Sequence, residues 1–143
     1  MCHIHSEKRV TKTVSAPRGV SPDCKMCTRV EKEADEESLV LVTIITDGRE
    51  NASTKYNSNS IKALVGRLDQ AGWVFTYIGA NQDAIYVANS MGIRNALQYD
   101  SDEEGTKAMW DQERNSRKAF YGRTRTIKSR SKLKRGYFEE DNE

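Results

Sequence analysis

The sequence predicts an α/β fold built on a parallel, doubly wound sheet, and three observations lead to this prediction. An apolar, β-branched run over residues 39–45 is typical of a strand buried on both faces of a parallel sheet. Shorter apolar runs follow at 73–78 and 96–99, and segments with helical periodicity come between and after them. The resulting order, β-α-β-α-β-α, calls for crossover connections and therefore for parallel strands.

The first strand ends at a turn signal, Thr46-Asp47-Gly48. The segment after it predicts a helix, because its apolar residues recur at the spacing i, i+3, i+4 and i+7: Ile61, Leu64, Val65 and Leu68. Gly72 stops this helix, and the second strand runs over 73–78.

A second helix is expected over residues 82–91, with Ile85 and Ala88 facing inward and Gly92 as its C-terminal cap. A short third strand follows over 96–99. The acidic segment 100–104 offers an N-cap and a favourable first turn for a third helix, which we expect to end at about Phe120 or Tyr121.

The patterned part of the chain is flanked by polar segments. Only 36% of the 143 residues are hydrophobic, and the mean hydropathy is −0.78. We expect an irregular N-terminal arm over 1–37, a domain over 38–121, and a disordered tail over 122–143 that is first basic and then acidic.

Composition and motifs exclude several classes of protein. No stretch approaches the roughly 18 consecutive apolar residues of a membrane span, and no secretory signal is visible. Three cysteines, an odd number, favour reduced thiols and a cytoplasmic location. The chain lacks a P-loop, a G-x-S-x-G and a G-x-G-x-x-G motif, and both histidines lie in the arm, so we expect no enzymatic activity.

Polar turns follow the first two strands, at 46–53 and 79–84. Ligands of open parallel sheets bind beyond the carboxyl ends of the strands, which makes these turns the candidate site. Asp47 stands directly after a buried strand, where a carboxylate would hold a hard cation or a hydroxyl group. An ordinary strand-Asp-Gly turn explains the same residues equally simply.

The segments VLVTIITDGRENAS (40–53) and GWVFTYIGANQDA (72–84) closely resemble the second half of a von Willebrand factor type A (VWA) domain, as found in uncharacterised bacterial cytoplasmic proteins. The similarity covers about 39–121. The resemblance implies a Rossmann-like fold, a protein partner, and a metal-ion-dependent adhesion site to which Asp47 contributes through water. Because the polar turns lie at the top of the sheet, we expect the partner-binding surface there, at Asn51, Ser53, Asn81 and Asp83.

The chain departs from the family in its first half. The family's Asp-x-Ser-x-Ser metal-binding loop has no counterpart in 1–38, and no apolar strand precedes residue 39 to carry it. One outer-sphere carboxylate leaves Mg²⁺ essentially hydrated, so we expect binding of this ion only if the missing half is supplied.

The same departure predicts a bare inner edge on the strand 39–45, because in the family this strand pairs with the first one. A bare apolar edge invites pairing. A homodimer through this edge, a complementing chain, and a truncated or frameshifted gene product are the three explanations that the sequence leaves open.

The arm holds every cysteine and histidine of the chain. Cys24 and Cys27 form a C-x₂-C pair, and Cys2 with His3 or His5 would complete a tetrahedral zinc site. An unstructured polar arm without metal is the alternative, because a single C-x₂-C pair is a weak signal.

The basic segment suggests a second function. Residues 114–135 contain ten Lys and Arg residues and no acidic residue, a pattern that favours nucleic-acid binding through phosphate contacts. The residues expected to carry this alternative are Arg123, Arg125, Lys128, Arg130, Lys132, Lys134 and Arg135. Few aromatic residues lie near the segment, and a solvated tail is the simpler interpretation.

Overall fold

A computed structural model describes residues 2–6, 14–16, 29–32, 39–46, 58–80, 83–126 and 136–139. Its centre is a five-stranded sheet with the strand order β2-β1-β3-β4-β5. The strands are β1 (Cys2–Ser6), β2 (Val14–Ala16), β3 (Val40–Thr46), β4 (Val74–Ala80) and β5 (Asn95–Tyr99).

The three strands β3, β4 and β5 are parallel to one another, and helices connect them. Helix α1 (Ser58–Gln70) lies between β3 and β4, helix α2 (Ala84–Ser90) lies between β4 and β5, and helix α3 (Glu103–Thr126) follows β5. The predicted α/β class is confirmed, and the parallel arrangement with alternating helices holds for β3, β4 and β5. The sheet as a whole is mixed, because β1 and β2 join it antiparallel. Helix α3 continues beyond its expected end at 120 or 121.

Hydrophobic clusters cover both faces of the sheet. On the first face the side chains of β3 and β4 pack against α1 and α2; the buried residues there include Val40, Val42, Ile44, Leu64, Val65, Leu68, Phe75, Ala84 and Ala88. On the second face Leu41 and Val74 pack against Phe120 of α3 and against Tyr137. Alternate residues of β3 point to opposite faces, which explains why its apolar run is continuous.

The inner edge of β3 is paired within the chain. Strand β1 runs antiparallel to β3, with His3 opposite Thr43, and β2 pairs antiparallel with β1. The predicted bare edge is therefore wrong. The irregular arm is wrong for residues 2–6 and 14–16, which form strands, and for residues 29–32, which are helical. The reason given for a homodimer or a complementing chain at this edge no longer applies, because β1 supplies the missing backbone hydrogen bonds.

Helix boundaries follow the local signals in the sequence. Gly92 ends α2 with a positive φ of 77°, and the next amide, that of Ile93, donates to the Ala88 carbonyl at 2.9 Å. At the start of α3 the Gly105 amide donates to Oδ1 of Asp102 at 2.6 Å, the N-cap that the acidic segment predicted. A Cβ on Gly105 would lie 2.2 Å from the Asp100 carbonyl oxygen, so this turn requires glycine.

The prediction of a disordered tail fails at residues 136–139, which are part of the folded structure. Tyr137 is 1% exposed, and its ring lies 5.5 Å from that of Phe120. The prediction for 122–143 is therefore wrong for residues 122–126, which extend α3, and for residues 136–139. In the part of the chain that the structure describes, the helices are too short or too polar to cross a membrane.

Candidate functional site

The carboxyl ends of β3, β4 and β5 lie side by side and form what we call the carboxyl edge. Thr46 of β3 is in register with Gly79 of β4, and Ala80 of β4 is in register with Tyr99 of β5. The Tyr99 hydroxyl donates to the Thr46 carbonyl oxygen at 3.5 Å, the outer limit for a hydrogen bond. The parallel arrangement thus brings together the two strand ends that carry the predicted turns.

Helix α2 approaches the carboxyl edge closely at Gly79. A Cβ at this position would lie 2.7 Å from Cβ of Ala84 and 3.0 Å from Cε1 of Tyr77. Glycine lets the first turn of α2 sit directly against the end of β4. The start of α2 is therefore part of the carboxyl edge.

The first turn of α2 is open to solvent. Asp83 occupies the N-cap position, and its carbonyl oxygen accepts the Val87 amide at 2.9 Å. Among the described residues the Asp83 carboxylate accepts no capping hydrogen bond from α2, and the residue is exposed. Of the four predicted partner-binding residues, Asp83 is the one that the structure describes.

Two large apolar residues follow Asp83 and are exposed. Ile85 is 51% exposed and Tyr86 is 77% exposed; we call this pair the α2 apolar patch. The expectation that Ile85 faces inward is wrong. Helix α2 buries Ala84 and Ala88, with Val87 and Met91 partly buried, at the spacing i, i+3, i+4 and i+7, so Ile85 lies about 100° away from the buried stripe.

Several predicted site residues lie outside the described residues, and the expectations for them stay predictions. They are Asp47, Asn51, Ser53 and Asn81 of the turns, Cys24 and Cys27 of the arm, and Lys128, Arg130, Lys132, Lys134 and Arg135 of the basic segment. Magnesium binding through Asp47 stays a prediction for this reason.

The other predicted residues are placed by the strands and by α3. Cys2 stands opposite Ile44 in the register of β1 with β3, and His5 stands opposite Leu41. Arg123 and Arg125 belong to α3, where Arg123 is half-buried. Within the described part of the chain, no three His, Cys, Asp or Glu side chains are grouped as metal ligands.

Sequence reasoning missed a buried polar pair on the second face. Glu113 of α3 is buried, and its Oε1 accepts a hydrogen bond from the Tyr137 hydroxyl at 3.3 Å. Nε of Arg117 lies 3.6 Å from Oε2 of the same carboxylate. The Asn95 side chain accepts the Tyr137 amide at 3.4 Å and donates to the Phe75 carbonyl at 3.2 Å.

The pKa values of both acidic groups, the Glu113 carboxyl and the Tyr137 hydroxyl, are raised. Burial raises the pKa of Glu113, and the Arg117 guanidinium and the Tyr137 hydrogen bond partly oppose this rise. Burial, reinforced by the nearby Glu113 carboxylate, raises the pKa of Tyr137 well above its ordinary value. The pair joins residues 136–139 to α3, and its role here is structural. Met109 and Glu113 lie four residues apart and therefore on one face of the helix. This spacing was the signal in the sequence that Glu113 lies on the buried side of α3.

An open cavity of about 380 Å³ lies beside this pair. Its lining comes from the start of β5 and from the residues that follow the basic segment: Arg94, Asn95, Ala96, Gly136, Tyr137, Phe138 and Glu139. Because β5 begins at Asn95, the cavity lies at the amino end of that strand. It is therefore separate from the carboxyl edge.

Comparison of the chain with protein-family models, with curated proteins and with solved structures gave no match.

Proposed function

We propose that this chain is a non-enzymatic protein-binding module of the VWA type, which contacts its partner with the carboxyl edge. The observation that carries the proposal is the α2 apolar patch. Ile85 and Tyr86 stand exposed two and three residues after Asp83, one of the residues expected to contact the partner.

The composition of this surface suits a protein partner. Exposed apolar side chains are ordinary when they are scattered singly, whereas larger contiguous apolar surfaces mark interaction sites. Ile85 and Tyr86 expose two large apolar side chains at consecutive positions, which favours the second case. Tyrosine is enriched among the residues that dominate binding energy, because its ring buries a large area and loses little conformational freedom. Asp83 would supply a charge at the rim of the contact, where it favours partner choice more than affinity.

The frame behind the surface is rigid enough to present it. Ala84 and Ala88 are buried against the sheet, and the close approach of α2 to Gly79 holds the first turn in place. Because the backbone that carries Ile85 and Tyr86 is positioned before the partner arrives, binding has to order the side chains and not the helix. The α/β frame, with helices on both faces of its parallel strands, is compatible with the VWA type of fold.

Affinity capture tests the proposal when it compares matched variants. The tagged chain, its Tyr86→Ser variant and its Trp110→Ser variant would be used with nuclease-treated lysate, and the captured proteins quantified by mass spectrometry. Trp110 is an exposed aromatic residue on α3, packed on the other face of the sheet, and serves as the control.

We expect the wild type and Trp110→Ser to retain one or more proteins in common. With Tyr86→Ser the captured amount of these proteins should fall by about tenfold or more, as for a residue at the centre of an interface. Equal capture by all three proteins would refute a role for the α2 apolar patch. Equal circular dichroism spectra of the variants would exclude misfolding as the cause of a loss.

A further inference from the structure

Helix α3 carries a positively charged stripe on its exposed side. Lys107, Arg114 and Lys118 are exposed and recur at intervals of seven and four residues. At about 100° per residue, these intervals place the three side chains within about 40° of one another around the helix axis. The stripe points away from the sheet, because the buried residues Met109, Glu113 and Phe120 define the opposite side.

A tryptophan lies beside this stripe. Trp110 is 42% exposed, whereas Trp73, the other tryptophan of the chain, is 3% exposed and belongs to the first core cluster. Trp110 comes three residues after Lys107 and four residues before Arg114, so both cations are its neighbours on the helix surface. The indole ring is thus accessible from solvent between two positive charges.

Acidic residues also lie along the stripe, because the exposed residues Glu103 and Glu104 stand four and three residues before Lys107 and offset its charge. The positive charge of the stripe is therefore concentrated at Arg114 and Lys118. Asp111 pairs with Arg114 at 3.2 Å, but both side chains are exposed, and such a pair contributes about 0–1 kcal/mol. A phosphate group can therefore replace Asp111 as the partner of Arg114. Glu113 points toward the core, where the Tyr137 hydroxyl holds it.

Tyrosine and phenylalanine residues near the basic segment are already used in packing. Tyr137 belongs to the second core cluster, and Tyr121 and Phe138 pack against it. Trp110 is consequently the aromatic side chain that α3 offers to an external planar group. Sequence inspection overlooked it because it precedes the basic run 114–135.

We propose that Lys107, Trp110, Arg114 and Lys118 bind single-stranded nucleic acid. A base stacks on the Trp110 indole, and the three cations contact successive phosphates, the combination by which proteins hold single strands without reading their sequence. Lys118 lies 11 residues after Lys107, which is about 16 Å along the helix axis and matches a few nucleotides of an extended strand. A single strand fits better than a duplex because its bases are free to stack on a side chain. This inference is independent of the proposed protein-binding surface on α2.

Fluorescence titration of the full chain with an oligothymidylate of about 20 nucleotides, longer than the contact itself, tests the proposal. We expect the oligonucleotide to quench tryptophan emission and to shield Trp110 from acrylamide; Trp73 is shielded already. Trp110→Ala should weaken binding about tenfold, as measured by anisotropy of a labelled oligonucleotide. The double variant Arg114→Gln, Lys118→Gln removes two phosphate contacts. It should therefore make the slope of log K against log[salt] less steep by about 1.4.

Lys62→Gln is the matched control, because Lys62 is an exposed lysine on α1, packed on the first face of the sheet. It should leave affinity unchanged. The proposal is overturned if oligothymidylate causes no quenching at low salt, if Trp110→Ala binds as tightly as the wild type, or if polyglutamate or duplex DNA of equal length produces the same Trp110 shielding. The acrylamide measurement needs no substitution, so it decides the question even if a variant folds poorly.

Discussion

Tyr137 offers the sharpest test of the packing on the second face. Its side chain is buried against Phe120 and Phe138, with ring centroids 5.5 Å and 4.9 Å away, and its hydroxyl donates to Glu113. Replacing a buried aromatic ring by alanine costs about 3–5 kcal/mol, because burial is lost and a cavity remains. Tyr137→Ala should therefore lower the free energy of unfolding by this amount, and the thermal midpoint by roughly 10 °C.

Tyr137→Phe separates the ring from the hydroxyl group. The ring stays, but the buried Glu113 carboxylate loses its donor, which costs about 1–3 kcal/mol. Urea unfolding followed by circular dichroism measures both variants, and Tyr86→Ala is the matched control because Tyr86 is largely exposed. The control should stay within about 0.5 kcal/mol of the wild type. If Tyr137→Ala destabilised the chain no more than Tyr86→Ala, residues 136–139 would not belong to the core.

Two further substitutions probe the second face and the carboxyl edge. Glu113→Gln keeps a hydrogen-bond acceptor for Tyr137 and removes a buried charge. Because burial raises the pKa of Glu113, its contribution to stability is full below the ordinary value of 4.5 and is lost as pH rises through the raised pKa. The thermal midpoint of the variant should therefore exceed that of the wild type by a growing amount as pH rises above the ordinary value of 4.5, and a difference that does not change with pH would contradict this expectation. Gly79→Ala forces a Cβ to within 2.7 Å of Ala84 and should cost about 1–3 kcal/mol in urea unfolding, whereas Gly66→Ala, at a position on α1 with open space, should not destabilise the chain.

The parallel half of the sheet was accessible to sequence reasoning because its signals are local. The continuous apolar run of β3, the periodic face of α1 and the cap at Gly92 each determine an element without reference to distant residues. The boundaries were less exact, as the extension of α3 to Thr126 illustrates.

The antiparallel strands escaped sequence reasoning because their pairing is not local. Strand β1 contains one strongly apolar residue, Ile4, and its place in the sheet depends on hydrogen bonds to β3, more than 30 residues away. Tyr137 escaped for a related reason. It follows a long basic run, and its burial depends on Phe120 and Glu113, which only the fold brings near it.

The candidate site was predicted in part. The position of the carboxyl edge follows from the parallel strands, and Asp83 lies there as expected. The exposure of Ile85 and Tyr86 could not be read from the sequence, because a seven-residue helix of mixed composition permits more than one buried stripe. Burial of Ala84 and Ala88 selects one stripe and leaves the α2 apolar patch in solvent.

Site-specific photo-crosslinking in living cells tests the proposed protein binding most directly. The photoreactive residue benzoylphenylalanine would replace Tyr86 in one protein and Lys62, an exposed residue of α1, in another. A discrete crosslinked protein adduct is expected from position 86 and none from position 62. No adduct at position 86, or the same adduct at both positions, would contradict the claim that the exposed start of α2 binds a protein partner.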